Sequence, residues 1–312
     1  MYPSQDKKEA DLVLPKNLNR NRSWKRPSKW WLAGLVFPLG VLVAASPAHV
    51  EKTLLFQTNV NPRISLVNLS GHVVVRGWDK AQVRAVCATT SPQVSIVTDP
   101  LPTSGPTNRL HIETRVLDPS LTGPAISADY TLDVPQDTSL EIRNRQGNVN
   151  IEKVSGDAWV ESVGGNVTVT DAGGHLAIHT IGGDIEIVRA AGRVEASSVT
   201  GSLHFLSPTS SRLHATTTSG KIVYEGDLVP GGEYVFSEYS GPMEILCPAD
   251  SSFDLNARSV RGKVIKDPEF SLIPKRRPSY GPGQASLLGT HNSGSATLEL
   301  TSFSGNINIR SH

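Results

Sequence analysis

The sequence predicts an all-β chain: a single-stranded β-solenoid (β-helix) with coils of 18–21 residues, preceded by a few irregular β-strands and an N-terminal hydrophobic helix. Three observations carry this. A glycine recurs every nine residues from Gly147 through Gly156, Gly165, Gly174, Gly183 and Gly192 to Gly201, and a fixed period of that size marks stacked structural units. After these glycines apolar and polar residues alternate, as in Gly183-Asp184-Ile185-Glu186-Ile187, the pattern of a strand with one buried face. The composition, with 27 Gly, 21 Pro and only 6% aromatic residues, suits a turn-rich β protein better than a helical one.

Residues 1–29 hold eight Lys/Arg against Asp6, Glu9 and Asp11, a net of +5. This polar, Pro/Asn-rich stretch reads as a disordered basic tail. The remainder has 22 basic and 26 acidic residues, a net of −4, so the folding part carries no basic footprint for nucleic acid. Residues 30–48 open with the 16 uncharged residues Trp30–Ala45 and end in Ser46-Pro47-Ala48. A basic region, a short apolar run and a small-x-small site describe a secretory signal. Sixteen apolar residues fall short of the ~20 that span a bilayer, which favours cleavage after Ala48. The long basic region and the interfacial pair Trp30-Trp31 favour an uncleaved transmembrane anchor with the tail cytoplasmic. Either outcome places residues 49–312 outside the cytoplasm, in the periplasm or at the cell surface.

Residues 49–139 read as short strands: Ile64–Val67, Val73–Val75, Gln93–Val97, Arg109–Val116 and Tyr130–Val134, separated by Pro/Gly/Ser clusters. The solenoid is expected over 140–312. Its corner glycines are Gly147, Gly165, Gly183, Gly201, Gly220, Gly241 and Gly262, at gaps of 18, 18, 18, 19, 21 and 21, with a last copy at Gly305 closing the chain. Each coil then holds two strands. Glycine suits the corner because a tight turn often needs φ > 0, and Asn148, Asn166, Asp184 and Asn306 after it suit turn chemistry. Residues 268–289, with Lys275-Arg276-Arg277 and a Gly/Pro stretch, read as a long exposed loop inserted before the final coil. No coil could stand alone, because its apolar face needs neighbours.

Chemistry is sparsely marked. Cys87 and Cys247 suit an oxidising compartment and could pair as a disulfide, or could be two buried thiols acting as small apolar side chains. The glycine period invites comparison with calcium-binding β-rolls, but their second glycine and aspartate are missing, and Asp157, Asp171 and Asp184 share no repeat position. His175 and His179 fall on one strand face as solvent-facing polar residues, not as a metal pair; His204 and His214 read the same way. A glycosidase needs two facing carboxylates. Glu186 and Glu244 occupy equivalent positions three coils apart, ~14 Å along the stack, and Glu161 and Glu195 are scattered. No GxSxG or HExxH motif occurs. The reading therefore assigns no catalytic, cofactor or metal residues, and expects no small-molecule substrate.

Leu69-Ser70-Gly71-His72-Val73-Val74-Val75-Arg76-Gly77-Trp78-Asp79, then Tyr130-Thr131-Leu132-Asp133-Val134-Pro135, then serial Gly-Asn-Val-x-Val units ending in Ser304-Gly305-Asn306-Ile307-Asn308-Ile309, together resemble the DUF4097 family of adhesin-like proteins over roughly residues 54–312. The resemblance implies a bacterial cell-envelope β-solenoid and brings no catalytic residues. The expected function is a non-enzymatic structural or interaction module. Its flat strand faces, with Thr168, Glu186 and His204, would meet an envelope protein or a glycan. The alternatives are a membrane-anchored envelope-stress sensor and, behind it, a carbohydrate-active enzyme.

Overall fold

A computed structural model describes residues 50–275 and 285–312, all within one compact unit. The predicted tail, the hydrophobic segment with its helix, and residues 276–284 of the predicted loop lie outside the described residues. Among those described, the fold is all-β apart from one 3-10 turn at Gly123–Ile126, and no helix is long and apolar enough to cross a membrane.

The regular coils each pair one longer strand with one short strand. They are β7 (Ser139–Gln146) with β8 (Val149–Glu152), β9 (Ala158–Gly164) with β10 (Val167–Thr170), and β11 (Leu176–Gly182) with β12 (Ile185–Val188). The next three are β13 (Arg193–Ser198) with β14 (Leu203–Leu206), β15 (Arg212–Ser219) with β16 (Ile222–Glu225), and β17 (Glu233–Ser240) with β18 (Met243–Cys247). The chain before them forms β1 (Val50–Asn68), β2 (Val73–Trp78), β3 (Gln82–Thr89), β4 (Val94–Leu101), β5 (Thr107–Val116) and β6 (Ala128–Pro135). The chain after them forms β19 (Phe253–Ser259), β20 (Val264–Lys266), β21 (Ile273–Pro274), β22 (Ala285–His291), β23 (Ala296–Ser302) and β24 (Ile307–Ser311).

Longer strands stack in parallel into one sheet and short strands into the other, so the solenoid is a two-sheet stack. The register follows the sequence period: Val149, Val167, Ile185, Leu203, Ile222 and Met243 are successive partners, all buried. In two coils a large residue faces a small one. Where the short strands carry Phe205 and Tyr224, the longer strands of the same coils carry Ala196 and Ala215, and all four are buried, as a close-packed interior requires. Phe236 of the next coil meets Phe205 and Tyr224 edge-on, at 6.0 and 5.7 Å between centroids. The wider coils begin here. Their extra residues form a loop tied down by Tyr224, whose hydroxyl donates to the Asp227 carbonyl (2.6 Å), and by Tyr234, whose oxygen accepts from the Val229 amide (2.8 Å).

Chain order and stacking order part company at both ends. The Gly305 copy does not close the stack, as the sequence suggests. β23 pairs with β17 on one side and β19 on the other, and β24 lies between β18 and β20. The last coil of the chain is thus inserted beneath the one preceding it. The N-terminal end mirrors this: β1–β2 lies against β7–β8, while the later β5–β6 packs outside it. Residues expected to be irregular strands ahead of the solenoid therefore build two of its coils. Antiparallel strands cover the ends, with β3 on β6 and β4 on β5 at one, β22 on β19 at the other. They blunt the open edges that stacked strands would otherwise present.

The corner glycines form one column, and backbone contact explains it better than conformational freedom. Gly147, Gly165 and Gly183 have positive φ (109°, 109° and 148°), but Gly201, Gly220, Gly241, Gly262 and Gly305 do not. What all share is that a Cβ would collide with the carbonyl oxygen of the glycine one coil away, through the series Gly71, Gly147, Gly165, Gly183, Gly201, Gly220, Gly241, Gly305 and Gly262. The next position is a side-chain ladder: Asn148 Oδ1 accepts from the Asn166 amide, Asn166 Oδ1 from Asp184, and Asp184 Oδ1 from Ser202, at 2.8–3.0 Å. The second corner carries left-handed residues that the sequence does not advertise: Lys153, Asp171, Arg189 and Ser207, with φ of 48–57°.

Candidate functional site

The outer face of the longer-strand sheet carries the most developed surface feature. One register column runs His111, Ser65, Glu141, Trp159, Ala177 and Glu195 across six adjacent strands. Alternation forces these side chains outward, because their neighbours Ile112, Leu66, Ile142, Val160 and Ile178 fill the core. Small Ser139 and Ala177 beside large Trp159 leave a depression of about 370 Å³, walled by Arg63, Glu141, Arg143, Asp157 and His175. A second depression of about 420 Å³, walled by Asp99, Arg109 and His111, shares Arg63 and Glu141 with the first. Together they form a groove running along the stack.

Its charges are partly committed. Arg143 reaches Glu141 at 3.2 Å and Glu161 at 3.6 Å, with its guanidinium 5.1 Å from the centre of the Trp159 ring. Asp157 Oδ1 accepts the His175 amide at 3.0 Å, and the His175 ring lies 3.6 Å from Glu195, itself paired with Arg193 at 2.5 Å. Arg63 and Arg109 are direct register partners on adjacent strands and appear in no ion pair among the described residues. Both side chains are exposed, and like charges placed opposite each other in a sheet bring no stability.

The faces expected to bind lie elsewhere. Thr168, Glu186 and His204 are successive partners on the outer face of the short-strand sheet, and none of the three lines the depressions described above. Glu186 and Glu244 are three strands apart. Glu244 pairs with Lys221 and with Arg310 (3.6 Å), and the Lys221 hydrogen bond holds its carboxyl below the usual range. His179 Nδ1 meets Ser197 Oγ at 2.6 Å. Among the described residues no three His, Cys, Asp or Glu are grouped as a metal site.

Cys87 and Cys247 do not pair. Both are buried free thiols, each pushed up to about 11 chiefly by burial. They sit on β3 and β18, eight strand intervals apart in one sheet. That is ~38 Å at the strand spacing, far beyond disulfide reach.

Beside the glycine column runs a buried polar seam that sequence reasoning missed, three residues before each corner: Asn144, Ser162, Thr180, Ser198, Thr217 and Glu238, then Ser302 and Ser259 of the exchanged coils. At several corners its hydroxyls serve the glycine, as where Ser198 Oγ accepts the Gly201 amide at 2.7 Å and Ser302 Oγ the Gly305 amide at 2.8 Å, while those of Ser162 and Thr180 have no partner. Glu238 is the one acidic member. Its Oε1 accepts from Ser302, its Oε2 has no partner, and burial raises its carboxyl above the usual range. The period of small polar residues was visible in the sequence. Trp159 carried a weaker signal, its alternation with the inward Ala158 and Val160.

No curated protein matches the chain. Among solved structures, a candidate adhesin of Bacteroides fragilis is 11% identical, with 85% of this chain and 99% of that one covered and a TM-score of 0.42. A candidate adhesin of Parabacteroides distasonis is 10% identical, covering 85% and 98%, at 0.39. A candidate cell adhesion protein of Clostridium sporogenes is 9% identical, covering 85% and 100%, at 0.28. The sequence profile of the Toastrack DUF4097 family matches residues 108–310, and with 203 of 312 residues so matched, the chain belongs to that family.

Proposed function

We propose that the chain is a non-enzymatic interaction module that works outside the cytoplasm, presenting the outer face of its longer-strand sheet to a partner in the cell envelope. The observation that carries this reading is the groove over Arg63, Glu141 and Trp159. It is a recessed, chemically mixed surface on a rigid stack, which is how solenoids bind extended partners. Location rests on the 16 uncharged residues Trp30–Ala45 behind a basic stretch, a pattern that engages the secretion machinery. The regulatory alternative, an anchored envelope-stress sensor, draws on the length of that basic tail, which an uncleaved anchor would leave in the cytoplasm.

Expression of the full chain in a bacterial host, followed by fractionation and N-terminal sequencing, tests the reading. Recovery outside the inner membrane's cytoplasmic face is expected. A start at His49 removes the tail and with it the sensor alternative; recovery in the cytosol would refute the extracytoplasmic role.

A further inference from the structure

We infer that the groove on the longer-strand sheet is an oligosaccharide site, with Trp159 as its stacking platform and the polymer lying along the solenoid axis. The inference rests on the interaction-module reading and gives that module a ligand class.

The position of the groove decides against a peptide added as a strand. It lies on a sheet face, where the strands beneath it are paired on both sides, so no free backbone row is available for strand addition. Recognition must come from side chains. Those present are planar groups that present both kinds of hydrogen-bond partner: Arg63 and Arg109 as donors, Glu141 and Asp157 as acceptors. A sugar's adjacent hydroxyls each donate and accept, and match such a mixture, whereas a purely anionic or cationic ligand would meet as many like charges as opposite ones. The half-buried indole of Trp159 lines the same depression. With the Arg143 guanidinium 5.1 Å from the ring centre, the rest of the indole offers an apolar surface with an amphipathic edge, suited to the C–H face of a pyranose.

Spacing supplies the second argument. From His111 through Ser65, Glu141 and Trp159 to Ala177 there are four strand intervals, ~19 Å at ~4.8 Å each. One interval is close to the length of one sugar ring in an extended chain. A repeating ligand would therefore meet the stack in step, and a longer oligomer should gain over a short one.

The test is calorimetric titration of the full chain with the hexamers of cellulose, chitin, laminarin and polygalacturonate, each beside its dimer, and with the peptide (Asp-Gly)3. Expected is binding of at least one hexamer with Kd between about 10 µM and 1 mM, tenfold or more tighter than its dimer. Trp159→Ala should weaken it tenfold or more, Arg63→Ala threefold or more, and Glu186→Gln on the opposite sheet should leave it unchanged. Melting of each variant within a few degrees of the parent shows the fold intact; if Trp159→Ala melts lower, Arg63→Ala carries the test. Binding of no hexamer, equal affinity for hexamer and dimer, or indifference to Trp159 and Arg63 overturns the inference, as does heat with the peptide alone. An extracytoplasmic protein that fails only here keeps the broader reading and loses the ligand.

Discussion

Replacing Gly201 with alanine separates two explanations of the glycine column, because they predict opposite signs. Gly201 is buried and does not have positive φ. On conformational grounds alone, alanine at such a position stiffens the unfolded chain and stabilises by about 0.4–1 kcal/mol. The stacked structure predicts the reverse. A Cβ on Gly201 would collide with the Gly183 carbonyl oxygen and approach Ser198 Oγ at 2.8 Å, so the two coils must part at that corner. The bonds joining them there are Val199 N to Thr180 O (3.2 Å), Thr200 N to Ile181 O (3.0 Å) and Ile185 N to Ser202 O (2.9 Å). Loss of two or three such bonds at about 1 kcal/mol each, with some loss of packing around Ile185 and Leu203, gives a destabilisation of about 2–4 kcal/mol. For a unit of this size that lowers Tm by about 4–16 °C. Thermal unfolding followed by circular dichroism reads the difference. Gly105→Ala, where φ is 85° but nothing lies within 4 Å, should cost only the backbone strain of about 1–2 kcal/mol. A Gly201→Ala protein as stable as the parent, or more stable, would refute the close-approach account.

Three further outcomes follow from the same structure. Ending the chain after Ser295 removes buried Leu298, Leu300, Ile307 and Ile309 from inside the stack, at about 1.5–3 kcal/mol each. That approaches the whole stability of about 5–15 kcal/mol, so cooperative melting should be lost; a truncated protein melting near the parent would deny that the last coil is internal. Glu238→Gln should stabilise at neutral pH. Burial raises the folded carboxyl, so its favourable contribution is present below the unfolded value near 4.5 and is lost as pH rises through the raised folded value. The gain in Tm of the variant over the parent should therefore grow from pH 4.5 to pH 7.5, and a gain independent of pH would contradict it. Thiol titration of unfolded, unreduced protein should find both Cys87 and Cys247 free, with Tm unmoved by reductant; a missing pair of thiols would contradict their separation.

Much of the architecture was legible because it is local and repeated. The 18-residue period, the inward columns through Val149 and Ile151, and the Asn ladder follow from alternation and turn chemistry that recur in each coil. Coil order was not legible. The Gly305 coil carries the same pattern as its neighbours, and nothing within Phe303–Ile309 states which two coils it joins. That choice is made by long-range pairing with β17 and β19. Positive φ accounts for glycine at Gly147, Gly165 and Gly183 but not at the five later corners, for a related cause: a turn's φ is a local property, whereas the carbonyl of Gly183 approaches Gly201 only once coils stack. At Lys153, Asp171 and Arg189 the reverse holds, since ordinary residues tolerate left-handed geometry at about 1–2 kcal/mol each and leave no sequence mark. The groove fell between these cases. Trp159 alternates with buried Ala158 and Val160, a local signal that sequence reading passed over, whereas Arg63, Arg109 and Glu141 come from strands far apart in sequence and meet only through the β1 exchange.

The central claim is that exchange of coils, which builds both ends of the stack and brings Arg63 beside Glu141. Paired cysteines test it most directly. Glu244 and Asn308 are register partners on an outer face, ~4.8 Å apart and within the range a disulfide spans. Ile265 lies one strand further on, ~9.6 Å from Glu244. Under mild oxidation the Glu244→Cys/Asn308→Cys protein should cross-link and the Glu244→Cys/Ile265→Cys protein should not. The opposite result would place the coils in chain order and contradict the account.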